Sequence, residues 1–326
     1  MIASRGSYLR KLRAPRRPAE LALLSVIQET YLAGASTRAV DALAELLGVP
    51  VTEPASIEVA ARQWDERVEA FRRRPLQDRY PYLLLLEVPL LISGVLGATT
   101  CKAVVAVGRA SSGVREVVGF ALRSEGTIDF WTSFLGDLDQ RGLHRLRLVT
   151  ATPTDGLLAA VATVYPDAQW QHCRRDFLTH ALSLVPEQGR SAVKASLRSV
   201  FCQPDVTEAL HRLSRVRSQF EFGFPELVDA LDQPVGARFA YFGVPAAQRR
   251  LVSSLSSLAP LERELRRACQ LIGIFPRDAT ALRLVGSILQ EVSDEWAARA
   301  TARRGPVRAA MGSTVRAQEW PVLAAA

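Results

Sequence analysis

Apolar residues in the first part of this chain recur at helical spacing. Ser36 or Thr37 can cap a helix with Val40, Leu43, Leu46 and Leu47 on one side, and Gly48 closes it. A short Val-Pro-Val-Thr connection follows. Thr52 then caps a second helix with Pro54 in its first turn. Ile57, Ala60, Trp64, Val68 and Phe71 form a single stripe along it. Two helices joined by a short turn at a glycine have the outline of a helix-turn-helix.

The period changes near residue 80. Segments 82–92, 101–108 and 116–122 are rich in Val and Leu, are divided by Gly and Ser, and predict three strands. Phe130, Trp131, Phe134, Leu135 and Leu138 predict a helix, 146–150 a fourth strand, 157–164 a helix, and Gln169-Trp170 a short strand. Helical patterning fills 173–258. A last helical segment covers 260–296, interrupted at 273–276. Consecutive strands followed by alternating helix and strand predict an α/β fold, a mixed sheet flanked by helices. Trp131, Phe134, Leu138, Val149, Trp170, Phe177, Ile274, Phe275 and Leu284 are the expected core.

Composition narrows the partner. Lys and Arg number 41 against 33 Asp and Glu, a net charge of +8, which favours a polyanion and nucleic acid ahead of an anionic membrane. Nearly all the cations are arginine; Lys11, Lys102 and Lys194 are the lysines. Arginine is the better bidentate phosphate ligand, although GC-rich coding also enriches it. Arg10, Lys11, Arg13, Arg16 and Arg17 form a basic arm. Cys101, Cys173, Cys202 and Cys269 are too scattered for a disulfide framework or a CxxC pair, which predicts reduced thiols. The most apolar stretch, 82–107, is broken by Glu87, Pro89, Gly94, Gly97 and Lys102, so it predicts strands rather than a membrane span. The start has no apolar leader pattern, and a cytoplasmic protein without membrane contact is expected.

Several stretches, in order, resemble the Mutator-type DDE transposases of bacterial insertion sequences. They are YLAGASTRAVDALAELLGVPV, RRRPLQDRYPYLLLL, KAVVAVG, REVVGF, FWTSFLGDLDQRGL, RLV, VYPDAQWQHCRRDFLTHAL, VFCQPD, LERELRR, GIFPRDATALRLVGSIL and DEW, spanning roughly residues 30–296. The resemblance implies a ribonuclease-H-like core with a helical insertion ahead of the last catalytic residue. It also implies duplex DNA as partner, and two Asp and one Glu holding two Mg2+ ions for in-line phosphoryl transfer. The boundaries expected are a basic arm at 1–18, a helix-turn-helix-like DNA-binding region at 19–79 and a ribonuclease-H-like core at 80–170. A helical insertion at 171–258, closing helices at 259–296 and a tail at 297–326 complete them.

The acidic positions depart from that pattern. The first Asp falls on Leu86, with Glu87 beside it on the opposite strand face. Pro89 follows, and proline is poorly tolerated in a central strand. The second falls on Thr152, with Asp155 three residues on, in a first-turn helix position. The Glu falls on Ala259 in a gapless alignment, which keeps the distance back to Pro245, and on Glu262 if three residues are deleted. The family's Trp-Gln-x-Cys-Arg-x-His segment carries Asp176 in place of His. His172, Cys173, Asp176 and His180 lie too close along one helix to converge on zinc, so surface polar residues are expected there. Glu53 and Glu58 in the helix-turn-helix would repel phosphates.

The leading expectation is therefore a transposase-family protein that binds duplex DNA but lacks catalysis and a bound metal, with Mg2+ the cofactor only of active members. Arg10, Lys11, Arg13, Arg16, Arg17, Arg266 and Arg267 are its expected DNA contacts. The alternatives are an active enzyme with a displaced triad of Glu87, Asp155 and Glu262, or a non-catalytic partner or inhibitor of an intact transposase. A homo-oligomer is a further possibility.

Overall fold

The computed structural model describes residues 18–32, 54–77, 80–94, 97–124, 127–232 and 236–304. The basic arm with Arg10, Lys11, Arg13, Arg16 and Arg17, the first helix and turn of the helix-turn-helix reading, and the tail beyond 304 lie outside the described residues.

Two helices come first, α1 (Pro18–Leu32) and α2 (Pro54–Arg73). Strands β1 (Tyr82–Gly94), β2 (Gly97–Arg109) and β3 (Arg115–Arg123) follow. Next are α3 (Ile128–Gln140), β4 (Leu148–Ala151), α4 (Leu157–Val164) and β5 (Gln169–His172). A helical stretch comprises α5 (Arg174–Ser183), α6 (Glu187–Phe201), α7 (Val206–Phe220), α8 (Pro225–Asp232), α9 (Gly236–Phe239) and α10 (Ala246–Val252). The described residues close with α11 (Ala259–Ile272), β6 (Ile274–Phe275) and α12 (Asp278–Arg304).

The sheet runs β3-β2-β1-β4-β5, with β6 pairing the far end of β1. β1, β2 and β3 are antiparallel neighbours. β4 joins the other side of β1 in parallel, and β5 joins β4 in parallel. Both faces are covered, which is why β1 and β2 read as near-continuous apolar runs rather than alternating ones. Leu84, Leu86, Val88 and Leu90 face one layer, where they pack with residues of α1, α2, α11 and α12. Leu83 and Leu85 face the other, against Trp131, Leu135 and Leu138 of α3 and Leu157 and Val161 of α4. A third apolar cluster joins α5 through α10 and meets the sheet at Tyr82 and Leu148.

Pro89 sits inside β1, contrary to the expectation that it disfavours a central strand. β1 pairs β4 only at Tyr82–Leu84 and β6 only at Leu91–Ile92. Pro89 lies in the gap between these pairings, where a missing N–H costs no ladder bond on that side. Of the expected core, Trp131, Phe134, Leu138, Val149, Phe177, Phe275 and Leu284 are buried. Trp170 and Ile274 are half-buried, because each lies on a short outer strand.

One buried charge ties the two ends of the described chain together. Arg283 of α12 is fully buried. It binds Asp65 of α2 through Nε at 2.8 Å and Nη2 at 3.0 Å. Its Nη1 reaches Glu29 of α1 at 2.7 Å and Ser25 Oγ at 3.3 Å. Glu29 also accepts from Arg277 and from Thr280, the latter at 2.7 Å. Burial pushes the Glu29 carboxyl up, but its bonds from Arg283, Thr280 and Arg277 outweigh that and leave it below the ordinary value of 4.5.

Candidate functional site

β1 and β4 run in parallel, and Leu84 pairs with Thr150. Two residues further on, past the paired stretch, come Leu86 in β1 and Thr152 just after β4. Both line a cleft of about 330 Å³. It opens where β1 has left β4 and has not yet met β6.

Two helix starts complete the cleft. α5 begins immediately after β5, and Cys173, the residue before it, is fully buried. The Cys173 Sγ accepts the Leu255 N–H at 3.3 Å, and the Arg174 N–H donates to the Ser253 carbonyl at 3.0 Å. These bonds set the first turn of α5 against the segment that leads into α11. The Thr150 hydroxyl donates to the Val252 carbonyl at 2.6 Å and ties β4 to the same segment. α11 opens with Pro260 in its first turn and buries Leu261, Leu265, Ala268, Cys269 and Ile272. Glu262 then projects into the cleft, and Gly273 ends the helix with φ of 81°.

The polar groups form one chain of contacts. The Thr152 hydroxyl donates to Asp176 Oδ2. Asp176 Oδ1 accepts from Arg175 Nε at 3.1 Å. Arg175 Nη1 pairs with Glu262 Oε2 at 2.9 Å. Glu262 Oε1 accepts from Arg266 Nη2 at 3.0 Å and Nε at 3.2 Å. All four carboxylate oxygens of Asp176 and Glu262 thus have partners. Both acids lie in the first turn of a helix, where the positive dipole end favours them. Burial works against the Arg175 charge, but Asp176 and Glu262 outweigh it and raise its pKa. Burial also pulls the adjacent His172 down to about 4, despite the opposing pull of Asp176.

The expected site residues are only partly brought together. Glu262 lines the cleft and Ala259 does not. Ala259 is the first residue of α11, nearly a full helical turn short of Glu262. Glu87 borders the cleft, but its carboxylate pairs with Lys102 at 3.0 Å and with buried Arg123 at 2.6 Å. Arg123 in turn lies over the Trp131 ring, on the α3 side of the sheet. Asp155 is exposed in the turn before α4 and is not part of the cleft. Arg266 lines the cleft, whereas Arg267 is exposed outside it. Nothing in the sequence singles out Arg175, and Asp176 is expected there only as a polar residue on a helix surface. Their signal was adjacency to Cys173-Arg174, in the segment where His is replaced.

The donor set does not fit the two divalent ions that the family resemblance implies. Such ions need several hard oxygens converging on a small volume. Leu86 offers none, Thr152 directs its proton to Asp176, and arginines engage both oxygens of Glu262. Among the described residues, no group of three or more His, Cys, Asp or Glu side chains is placed to hold a metal ion, which includes His172, Cys173, Asp176 and His180.

Mixed-sheet architecture with a cleft where β1 parts from the end of β4 defines the class: an α/β protein with its site between the two central parallel strands, closed by helices from distant parts of the chain. Residues 3–299 match the family described as Transposase, Mutator family, and the chain belongs to it. It is 35% identical over 297 residues to the transposase for insertion sequence element IS1081 of Mycobacterium tuberculosis, covering 89% of this chain and 71% of that protein. It is 34% identical over 276 residues to the transposase for IS406 of Burkholderia multivorans, covering 83% and 70%. Identity to the transposase for IS256 in transposon Tn4001 of Staphylococcus aureus is 27% over 282 residues, covering 85% and 72%. Among the described residues, no helix is long and apolar enough to cross a membrane.

Proposed function

We propose that this chain is a DNA-binding transposase-family protein of an insertion sequence that does not cut DNA. One observation carries the reading. The cleft presents Leu86 and Thr152; of the acids that line it, Glu87 is held by Lys102 and Arg123, and Asp176 and Glu262 are bridged by Arg175. Phosphoryl transfer through two metals needs carboxylates free to coordinate. The displaced set of Glu87, Asp155 and Glu262 has no support in the geometry, because Asp155 lies outside the cleft and Glu87 is held by Lys102 and Arg123.

Strand order and pairing sense support a ribonuclease-H-like assignment for 80–170 together with 259–296, with 171–258 inserted between them. The net charge of +8 and the exposed or half-exposed arginines of α11 support contact with the phosphate backbone of duplex DNA in the cytoplasm. Arg266 and Arg267 are the described contacts, and Arg10, Lys11, Arg13, Arg16 and Arg17 add the arm. The test uses supercoiled plasmid carrying the DNA that flanks this gene, with Mg2+ or Mn2+. Retarded mobility without nicked or linear product is expected. Metal-dependent nicking that Glu262→Gln abolishes would overturn the reading.

A further inference from the structure

We propose that the Arg175 guanidinium is a built-in cation that holds Asp176 and Glu262 together, so that the cleft excludes Mg2+ and Mn2+ and becomes a divalent-cation site only when Arg175 is removed. The observation is a closed set of bonds between elements far apart in sequence. Thr152 follows β4, Asp176 and Arg175 open α5, and Glu262 opens α11. Among the described residues, Arg175 is the one group that touches both acids, through Nε at 3.1 Å and Nη1 at 2.9 Å. A planar fork with donors on two edges can join two carboxylates in this way.

The network is complementary. Thr152 is neutral, and its hydroxyl donates to the carboxylate of Asp176. Arg175 is a third exposed while Glu262 is 14% exposed, so the acid lies deeper than the cation that screens it. Glu262 without Arg175 would keep only Arg266, which binds its other oxygen. Two carboxylates and a hydroxyl would then face one cleft with two acid oxygens vacated, Asp176 Oδ1 and Glu262 Oε2. Hard divalent cations take that donor set. The arginine thus performs the charge-bridging that a metal would, and the assembly of β4, α5 and α11 needs no ion.

The experiment measures thermal unfolding of the full-length protein and of Arg175→Ala, each in EDTA, in MgCl2 and in MnCl2. The wild-type midpoint should be the same in all three. Arg175→Ala should unfold a few degrees lower in EDTA, and Mn2+ should recover most of that loss. Adding Glu262→Gln to Arg175→Ala should remove the Mn2+ response. If Arg175→Ala does not fold, Arg175→Gln is used, and Mn2+ binding is read by isothermal titration on wild type and variant. A wild-type protein stabilised by Mn2+, or a variant that gains no Mn2+ response or binding, overturns the proposal. This outcome separates from that of the proposed function. Nicking by wild type would sink the latter, whereas a variant indifferent to Mn2+ sinks only the bridging role.

Discussion

Two places in this protein use the same device, an arginine between two acids, in opposite settings. Arg283 joins Glu29 and Asp65 at the junction of α1, α2 and α12, and its side chain is 0% exposed. Arg175 joins Asp176 and Glu262 at the cleft, and its side chain is 33% exposed. At the junction the guanidinium is saturated from several sides and surrounded by the apolar core. At the cleft it is a third exposed to water. Burial, more than the partners, therefore separates a staple that fixes helices from a cation that regulates what a site can hold. An unpaired charge left in an apolar core has no water to solvate it, whereas one left in a cleft does.

The largest expected effect tests that contrast directly. Arg283→Met takes both Arg283 bonds from Asp65 and leaves Glu29 with Arg277 and Thr280, and it should cost about 3 kcal/mol of stability, the low end for breaking a buried pair. Arg175→Met should cost below about 1 kcal/mol, because a partly exposed ion pair is screened by solvent. Urea unfolding of the two variants measures both. Equal losses would erase the distinction between junction and cleft.

Acid should separate the two regions by pH window. His172, beside the cleft, is held near 4 by burial against an ordinary value of 6.5. The unfolded chain then binds a proton that the folded one refuses, so stability should fall as pH drops from about 6.5 toward 4. His172→Gln should flatten that slope. Glu29, at the junction, is held below 4.5. Its contribution is present above the unfolded value and is lost only as pH falls further, through the lowered folded value. Glu29→Gln should remove that lower limb and leave the upper one. Urea midpoints recorded across pH give both slopes, and one substitution that abolished both limbs would merge the regions.

The smallest effect concerns the rim of the cleft. Arg266→Ala and Arg267→Ala should each weaken duplex binding evenly across sequences and reduce the salt slope by roughly 1. Salt-insensitive binding, or strong preference for one short sequence, would point away from phosphate contacts.

The strand and helix succession was legible in the sequence because hydrophobic period is a local property. Segments 82–92, 101–108 and 116–122 each fall within an observed strand, and the helical segment from 260 breaks at Gly273, where α11 ends. Leu86 and Thr152 are singled out by counting from the family-like motifs that precede them, and both line the cleft. The glutamate position could not be decided that way. Ala259 and Glu262 lie three residues apart on one helix, and only the packing of α11 shows that Glu262 is the one that lines the cleft. The partners of Thr152, Arg175 and Arg283 were equally beyond reach. Their contacts cross 24, 87 and 218 residues, since Thr152 meets Asp176, Arg175 meets Glu262 and Asp65 meets Arg283. Such pairs leave no periodic trace. The sequence by itself determined the elements and their order. Tertiary structure alone decided which charges meet and how deeply each is buried, because both depend on packing between segments that the chain keeps far apart.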